Sequence, residues 1–121
     1  YNPDAILKED MQRVANAGAV IVSGSQTHQP HGMTFSEGAF IHYGLGNLFF
    51  DQYRYYPGGE LDYGFIDWHI FYAGKHISTQ LITISWVDLA KNRLTTPAER
   101  EKFLTTMFNA SQWGAEESVQ P

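Results

Sequence analysis

Two histidines three residues apart, His28 and His31, follow the apolar run Ala19-Val20-Ile21-Val22 and a Ser23-Gly24 turn. Imidazole ligates metals and exchanges protons near neutral pH. A loop at the end of a buried strand is where α/β proteins commonly hold metals and phosphates. A metal site needs three or four ligands. This loop offers His28, with His31 as a second candidate and Gln26 as a weak oxygen donor. For His28 alone, metal ligation and a hydrogen-bonding surface role both stay open. For His31, Pro30 and Gly32 break any helical geometry, so a solvent-facing loop position is expected. Gln26 could orient substrate or water, and equally could satisfy loop backbone groups.

A second apolar run, beginning near Ala39, ends in Gly44-Leu45-Gly46-Asn47. Glycines let the backbone take unusual angles there, and Asn47 reads as an Asx-type turn residue rather than a catalytic one. Asp51, closing an apolar segment, reads as a turn cap. His42, His69 and His76 lie within or beside strand runs, where core or edge histidines are the default. Asp62 and Asp67 are five residues apart, so one strand would point them to opposite faces; that argues against an acid–base pair. Tyr53-Arg54-Tyr55-Tyr56-Pro57-Gly58-Gly59-Glu60 is too polar for a core. Tyr53 and Arg54 are its candidates for lining a substrate cleft.

These side chains need a scaffold, and the chain can supply one. Its 121 residues suit one small domain, with 43% hydrophobic and 15% aromatic residues. The net charge of −5 and singly scattered basic residues argue against nucleic acid, because phosphate binding needs a basic patch. With no cysteine, disulfides, thiolate metal sites and cysteine nucleophiles are excluded. No signal peptide or membrane span is read in the sequence. The chain opens at Tyr1-Asn2-Pro3, already a helix start, and reads as a fragment.

Asn2-Pro3-Asp4 predicts an Asn2-capped helix with Pro3 at its first position. Leu7, Met11, Val14 and Ala15 form its apolar face, and Gly18 ends it. Residues 19–23 read as a buried strand, 25–38 as a loop, and 39–43 and 47–50 as strand segments. Residues 53–62 form a polar excursion. Strands are expected at Tyr63–Tyr72 and His76–Val87, joined by an Ala73-Gly74-Lys75 turn. The mixed faces of the second strand fit burial on two sides. Thr96-Pro97-Ala98-Glu99 predicts a capped final helix with Phe103, Leu104, Met107 and Phe108 inward. Residues 1–114 are expected to form one domain, and 115–121 a frayed tail.

The segments Gly18-Ala19, Gly24-Ser25-Gln26-Thr27-His28 and Tyr43-Gly44-Leu45-Gly46-Asn47-Leu48-Phe49-Phe50-Asp51-Gln52 carry a resemblance. They are similar to the C-terminal part of the bacterial capsule-synthesis family that includes the poly-γ-glutamate synthesis protein CapA. The Gly-Asn-x-x-Phe-Asp-Gln part is the more specific half. The resemblance extends over roughly residues 1–110. It implies a metallophosphatase-like fold, with further metal motifs upstream in much longer chains. Metallophosphatases usually carry Gly-His-Thr-His; here Gln26 stands at the first His position, while Thr27 and His28 match. A Gln oxygen is the weaker ligand for zinc-like or iron-like ions.

The expected fold is therefore α/β or α+β: the C-terminal half of a metallophosphatase-like layered sandwich, a mixed sheet with a helix at each end. The resemblance implies a metal-dependent hydrolase scaffold in capsule or poly-γ-glutamate handling at the bacterial cell envelope, extracytoplasmic or membrane-associated. His28 would act as metal ligand and Gln26 as its neighbour in catalysis. A divalent metal is expected in the full-length protein, and no tight metal in this stretch alone. Expected partners are the missing N-terminal half or a second copy, and an anionic polymer. The rival is a non-catalytic polymer- or partner-binding module, which Gln26 favours.

Overall fold

A computed structural model describes residues 1–49, 63–88 and 91–113 of the chain. The order is α1 (Ala5–Asn16), β1 (Ile21–Ser23), β2 (Pro30–Ser36), β3 (Ala39–Leu45), β4 (Tyr63–Tyr72), β5 (Lys75–Asp88), β6 (Lys91–Leu94) and α2 (Pro97–Ala110). The fold is α+β, with two helices and two three-stranded sheets ordered β1-β3-β2 and β4-β5-β6. The first sheet is mixed, β1 running parallel and β2 antiparallel to β3. The second is antiparallel. A bridge between Gly46 and Gly64 links the end of β3 to the start of β4.

Asp4, not Asn2, caps α1: its carboxylate accepts from the Leu7 amide at 2.8 Å. Pro3 thus lies before the cap, where it is buried, and not at the first helical position. Gly18, at φ 105°, closes the helix. Its amide bonds the Ala15 carbonyl while the Ala19 amide reaches Val14, a Schellman pattern that favours glycine. The capping box on α2 forms as its sequence predicts, with Thr96 and Glu99 bonding reciprocally.

The largest departure is the stretch 25–38, expected as loop, of which 30–36 is strand β2. Pro30 takes the first strand position, where no ladder donor is needed. Glu37 and Gly38, both at positive φ (50° and 82°), make a two-residue turn into β3. Gly32 lies against α2: a Cβ there would meet Ser111 at 2.9 Å. Two of the three apparent breakers are thus a strand start and a hairpin turn. The third is a packing contact. Conversely, 47–49 is not strand. The predicted hairpin at 73–74 forms, with Ala73 and Gly74 at φ 48° and 75°. In β5 burial on both sides holds only for the end of the strand, Thr83 to Trp86.

The layers follow from side-chain alternation. Ala39, Ile41 and Tyr43 of β3 face α1, packing with Met11, Ala15 and Val22. Phe40 faces the other way, into a core of Met33, Phe65, Phe103 and Met107 that joins both sheets to α2. Burying each of the larger side chains, Ile41, Phe40, Met33, Phe65, Phe103 and Met107 among them, stabilises by about 1.5–3 kcal/mol. Among the described residues the outer side of β4 has no such cover: Ile66, Trp68, Ile70 and Tyr72 are 44%, 61%, 47% and 77% exposed.

Candidate functional site

The loop after β1 sits directly on β3. Gly24 makes this possible: a Cβ there would fall 2.0 Å from the Tyr43 carbonyl oxygen. Its amide bonds the His42 carbonyl at 2.7 Å, and its carbonyl accepts from Leu45 at 3.2 Å. Gly44 clears the other side of the contact, where a Cβ would meet Thr27 Oγ1 at 2.7 Å. Thr27 Oγ1 in turn donates to the Gln29 carbonyl at 2.7 Å. Gln26 and His28 both take positive φ, 71° and 56°. Non-glycine residues seldom adopt this region, and it persists only where surroundings enforce it.

Asn47 is part of that enforcement. Its Nδ2 donates to the His28 carbonyl at 2.9 Å, and its Oδ1 meets His28 Nδ1 at 3.0 Å. An amide oxygen only accepts, so the proton lies on Nδ1. Any ligand or base role of His28 must therefore fall to Nε2. This is the pattern in which metal-binding imidazoles are commonly oriented, by a carbonyl on the other ring nitrogen. Asn47 is itself fixed from the second sheet: Trp86 Nε1 donates to its carbonyl at 3.0 Å. Asn92 Nδ2 donates to the Leu48 carbonyl just beyond. Instead of the Asx-type turn expected of Asn47, its side-chain bonds clasp the histidine loop.

His28 and Gln26 are exposed on this loop. His31 departs from expectation: it lies in β2, partly buried, beside Gly44. Among the described residues its Nδ1 is buried without a hydrogen-bond partner, and burial pushes its pKa below the ordinary value. Its place in β2, paired with Gly44 rather than in a loop, accounts for this burial. Tyr53, Arg54, Asp51 and Asp62 lie outside the described residues. Among the described residues, no group of three or more His, Asp or Glu is placed to hold a metal. The described donor set, one exposed imidazole and one amide, does not by itself fit a closed metal site.

Sequence reasoning missed a second pair. His42 Nδ1 and Asp67 Oδ2 are 2.7 Å apart, with side chains 0% and 3% exposed. His42 rests edge-on to Phe65, with ring centroids 4.8 Å apart. His69 and His76 share the Thr79 hydroxyl, at 2.8 and 2.9 Å. Burial lowers the His69 pKa, opposed by nearby Asp67. The clue was available in part. Strand alternation puts Phe65, Asp67 and His69 on one face of β4, but not which strand faces them.

A layered α+β scaffold whose strand-end loop presents a clasped histidine is the class that fold and site define. Residues 1–52 match the family of the bacterial capsule synthesis protein PGA_cap, which bears out the capsule-synthesis resemblance over that stretch. The match spans α1, the histidine loop, β2, β3 and the Gly-Asn segment, and ends at Gln52; Asp67 lies beyond it. No curated protein matches the chain. Among the described residues, no helix is long and apolar enough to cross a membrane.

Proposed function

We propose that this chain is the C-terminal part of a capsule or poly-γ-glutamate biosynthesis protein, on a metallophosphatase-like hydrolase scaffold acting on the outer side of the membrane. The observation that carries this reading is the clasp of Asn47 on His28, inside the stretch that matches the capsule family. It holds an imidazole in one tautomer on a strained loop, an arrangement costly to keep for structure alone. In the full-length protein His28 Nε2 would ligate a divalent metal or polarise the scissile group. The remaining ligands would come from upstream. A metal there would activate water for attack on a phosphoester or amide. Gln26 would orient substrate or water. Tyr53 and Arg54 would contact an anionic polymer.

The test is hydrolytic or polymer-processing activity of the full-length protein. His28→Ala should remove most activity per folded molecule, and Gln26→His should tighten metal binding. Retained activity in folded His28→Ala would remove the hydrolase reading. The second reading, a polymer-binding module without catalysis, is favoured by Gln26 at the first His position and would then lead.

The rest of the same fold is the partner that suits the exposed row Ile66, Trp68, Ile70 and Tyr72 on β4. Without it, the isolated chain should self-associate. Light scattering showing a stable monomer at high concentration would contradict this.

A further inference from the structure

The β4–β5 hairpin changes register near its tip. His69 stands opposite Thr79 and Ile70 opposite Ser78, but the next pair is Phe71 with His76. Ile77 is the surplus residue of a bulge in β5, and such a bulge re-aims the side chains beside it. In an even strand His76 and Thr79, three residues apart, would point to opposite faces. The bulge puts His76 opposite Phe71, on the face that already carries His69 and Thr79.

Two imidazoles converge there. His69 Nδ1 and His76 Nε2 lie 2.8 and 2.9 Å from one atom, Thr79 Oγ1. The rings meet edge to face with centroids 5.7 Å apart, and Phe40 of β3 backs both, at 6.0 and 6.4 Å. Two ring nitrogens aimed at one point are a bidentate donor set, and imidazole suits zinc, copper and nickel. At a zinc–nitrogen distance of about 2.0–2.1 Å, an ion at that point needs each ring to close in by about 0.8 Å and the Thr79 hydroxyl to turn aside. His69, His76 and Thr79 are all partly exposed. Neither His69 Nε2 nor His76 Nδ1 is among the buried nitrogens lacking a partner, so each neutral ring can keep its proton on that outer nitrogen. Burial, opposed by nearby Asp67, holds the His69 pKa below its ordinary value, which favours the neutral form that ligates.

We propose that His69 Nδ1 and His76 Nε2 form a two-imidazole site for a divalent transition ion of the zinc type, with water in its remaining positions. Two protein ligands make it an exchangeable site rather than a closed structural one, in keeping with the lack of any three-residue ligand group among the described residues. The site does not depend on the hydrolase reading, since both histidines lie outside the matched residues 1–52.

The full chain is titrated with Zn2+ and, separately, with Mg2+ at about pH 7.5, above the ordinary imidazole value, and the histidine ring nitrogens are followed by NMR. Zinc should bind one to one, with the metal on Nδ1 of His69 and Nε2 of His76 and the proton on the opposite nitrogen of each ring. Magnesium, which prefers oxygen ligands, should leave both rings unchanged. His69→Gln and His76→Gln should each weaken zinc binding at least about tenfold. Thr79→Ala, which vacates the point of convergence, should keep it. The proposal is overturned if zinc fails to bind below about 1 mM, if the ring shifts fall on His28 or His31 instead, or if either folded glutamine variant binds zinc as the unaltered chain does. Should a variant fail to fold, the ring-nitrogen pattern of the unaltered chain decides alone.

Discussion

His28 and His42 each offer Nδ1 to a side-chain oxygen, and otherwise the two pairs are opposites. His28 meets a neutral amide on an exposed loop held at positive φ. His42 meets a carboxylate inside the core, between two sheets. The first pair joins residues 19 apart within the family-matched stretch. The second joins β3 to β4 across 25 residues, and its acid lies beyond that stretch. An exposed histidine can lose its partner to water at little cost. A buried one cannot, because its partner's charge would stay behind in a low dielectric. The exposed pair can part at little cost, whereas the buried pair ties β3 to β4.

That contrast can be broken most forcefully at the buried pair. His42→Ala, which strands the Asp67 carboxylate, should cost about 3–5 kcal/mol, the usual price of breaking a buried pair from one side. Chemical denaturation measures it. A loss below about 1 kcal/mol would show that solvent reaches Asp67. Next comes Gly24→Ala, whose Cβ would overlap the Tyr43 carbonyl. It should cost about 1–3 kcal/mol by overpacking and displace the His28 loop, seen as lost amide shifts for 25–29. Asn47→Ala should follow at about 1 kcal/mol, while His28→Ala, exposed, should stay within about 0.5 kcal/mol. Equal costs at Asn47 and His28 would mean that the clasp is a structural pair only.

Two smaller effects concern pH. His31 and His69 are both held below the ordinary imidazole value by burial. The unfolded chain then takes up protons first, so stability falls as pH drops below about 6.5. A His31→Gln, His69→Gln double variant should show a flatter melting profile between about pH 7.5 and 5.5. The smallest effect is at Glu99, where hydrogen bonds from Arg93 and the Thr96 amide lower its pKa to about 2. Its contribution is full above the ordinary carboxylate range and is lost as pH falls through about 2. Glu99→Gln should flatten only that acid limb, because the Arg93–Glu99 pair is exposed.

The sequence disclosed what is local. Gly18 as a helix stop, the Thr96–Glu99 cap and the 73–74 turn depend on residues within a few positions of one another, and all three formed. The strand-end position of His28 was also readable, from an apolar run followed by Gly24. What stayed hidden depends on distant partners. β2 was masked by Pro30 and Gly32, whose breaker signals were outweighed by pairing with β3 and contact with Ser111. The single expected sheet is two, joined only by the isolated bridge between Gly46 and Gly64 among the described residues. The His42–Asp67 pair could not be read, since spacing along a strand says nothing about the strand it faces.

Thermal unfolding of His28→Ala beside His42→Ala tests the division between the two pairs most directly. The account predicts a melting temperature within about 2 °C of the unaltered chain for His28→Ala, and a fall of about 10 °C or more for His42→Ala. A large fall for His28→Ala with a small one for His42→Ala would reverse the assignment and contradict it.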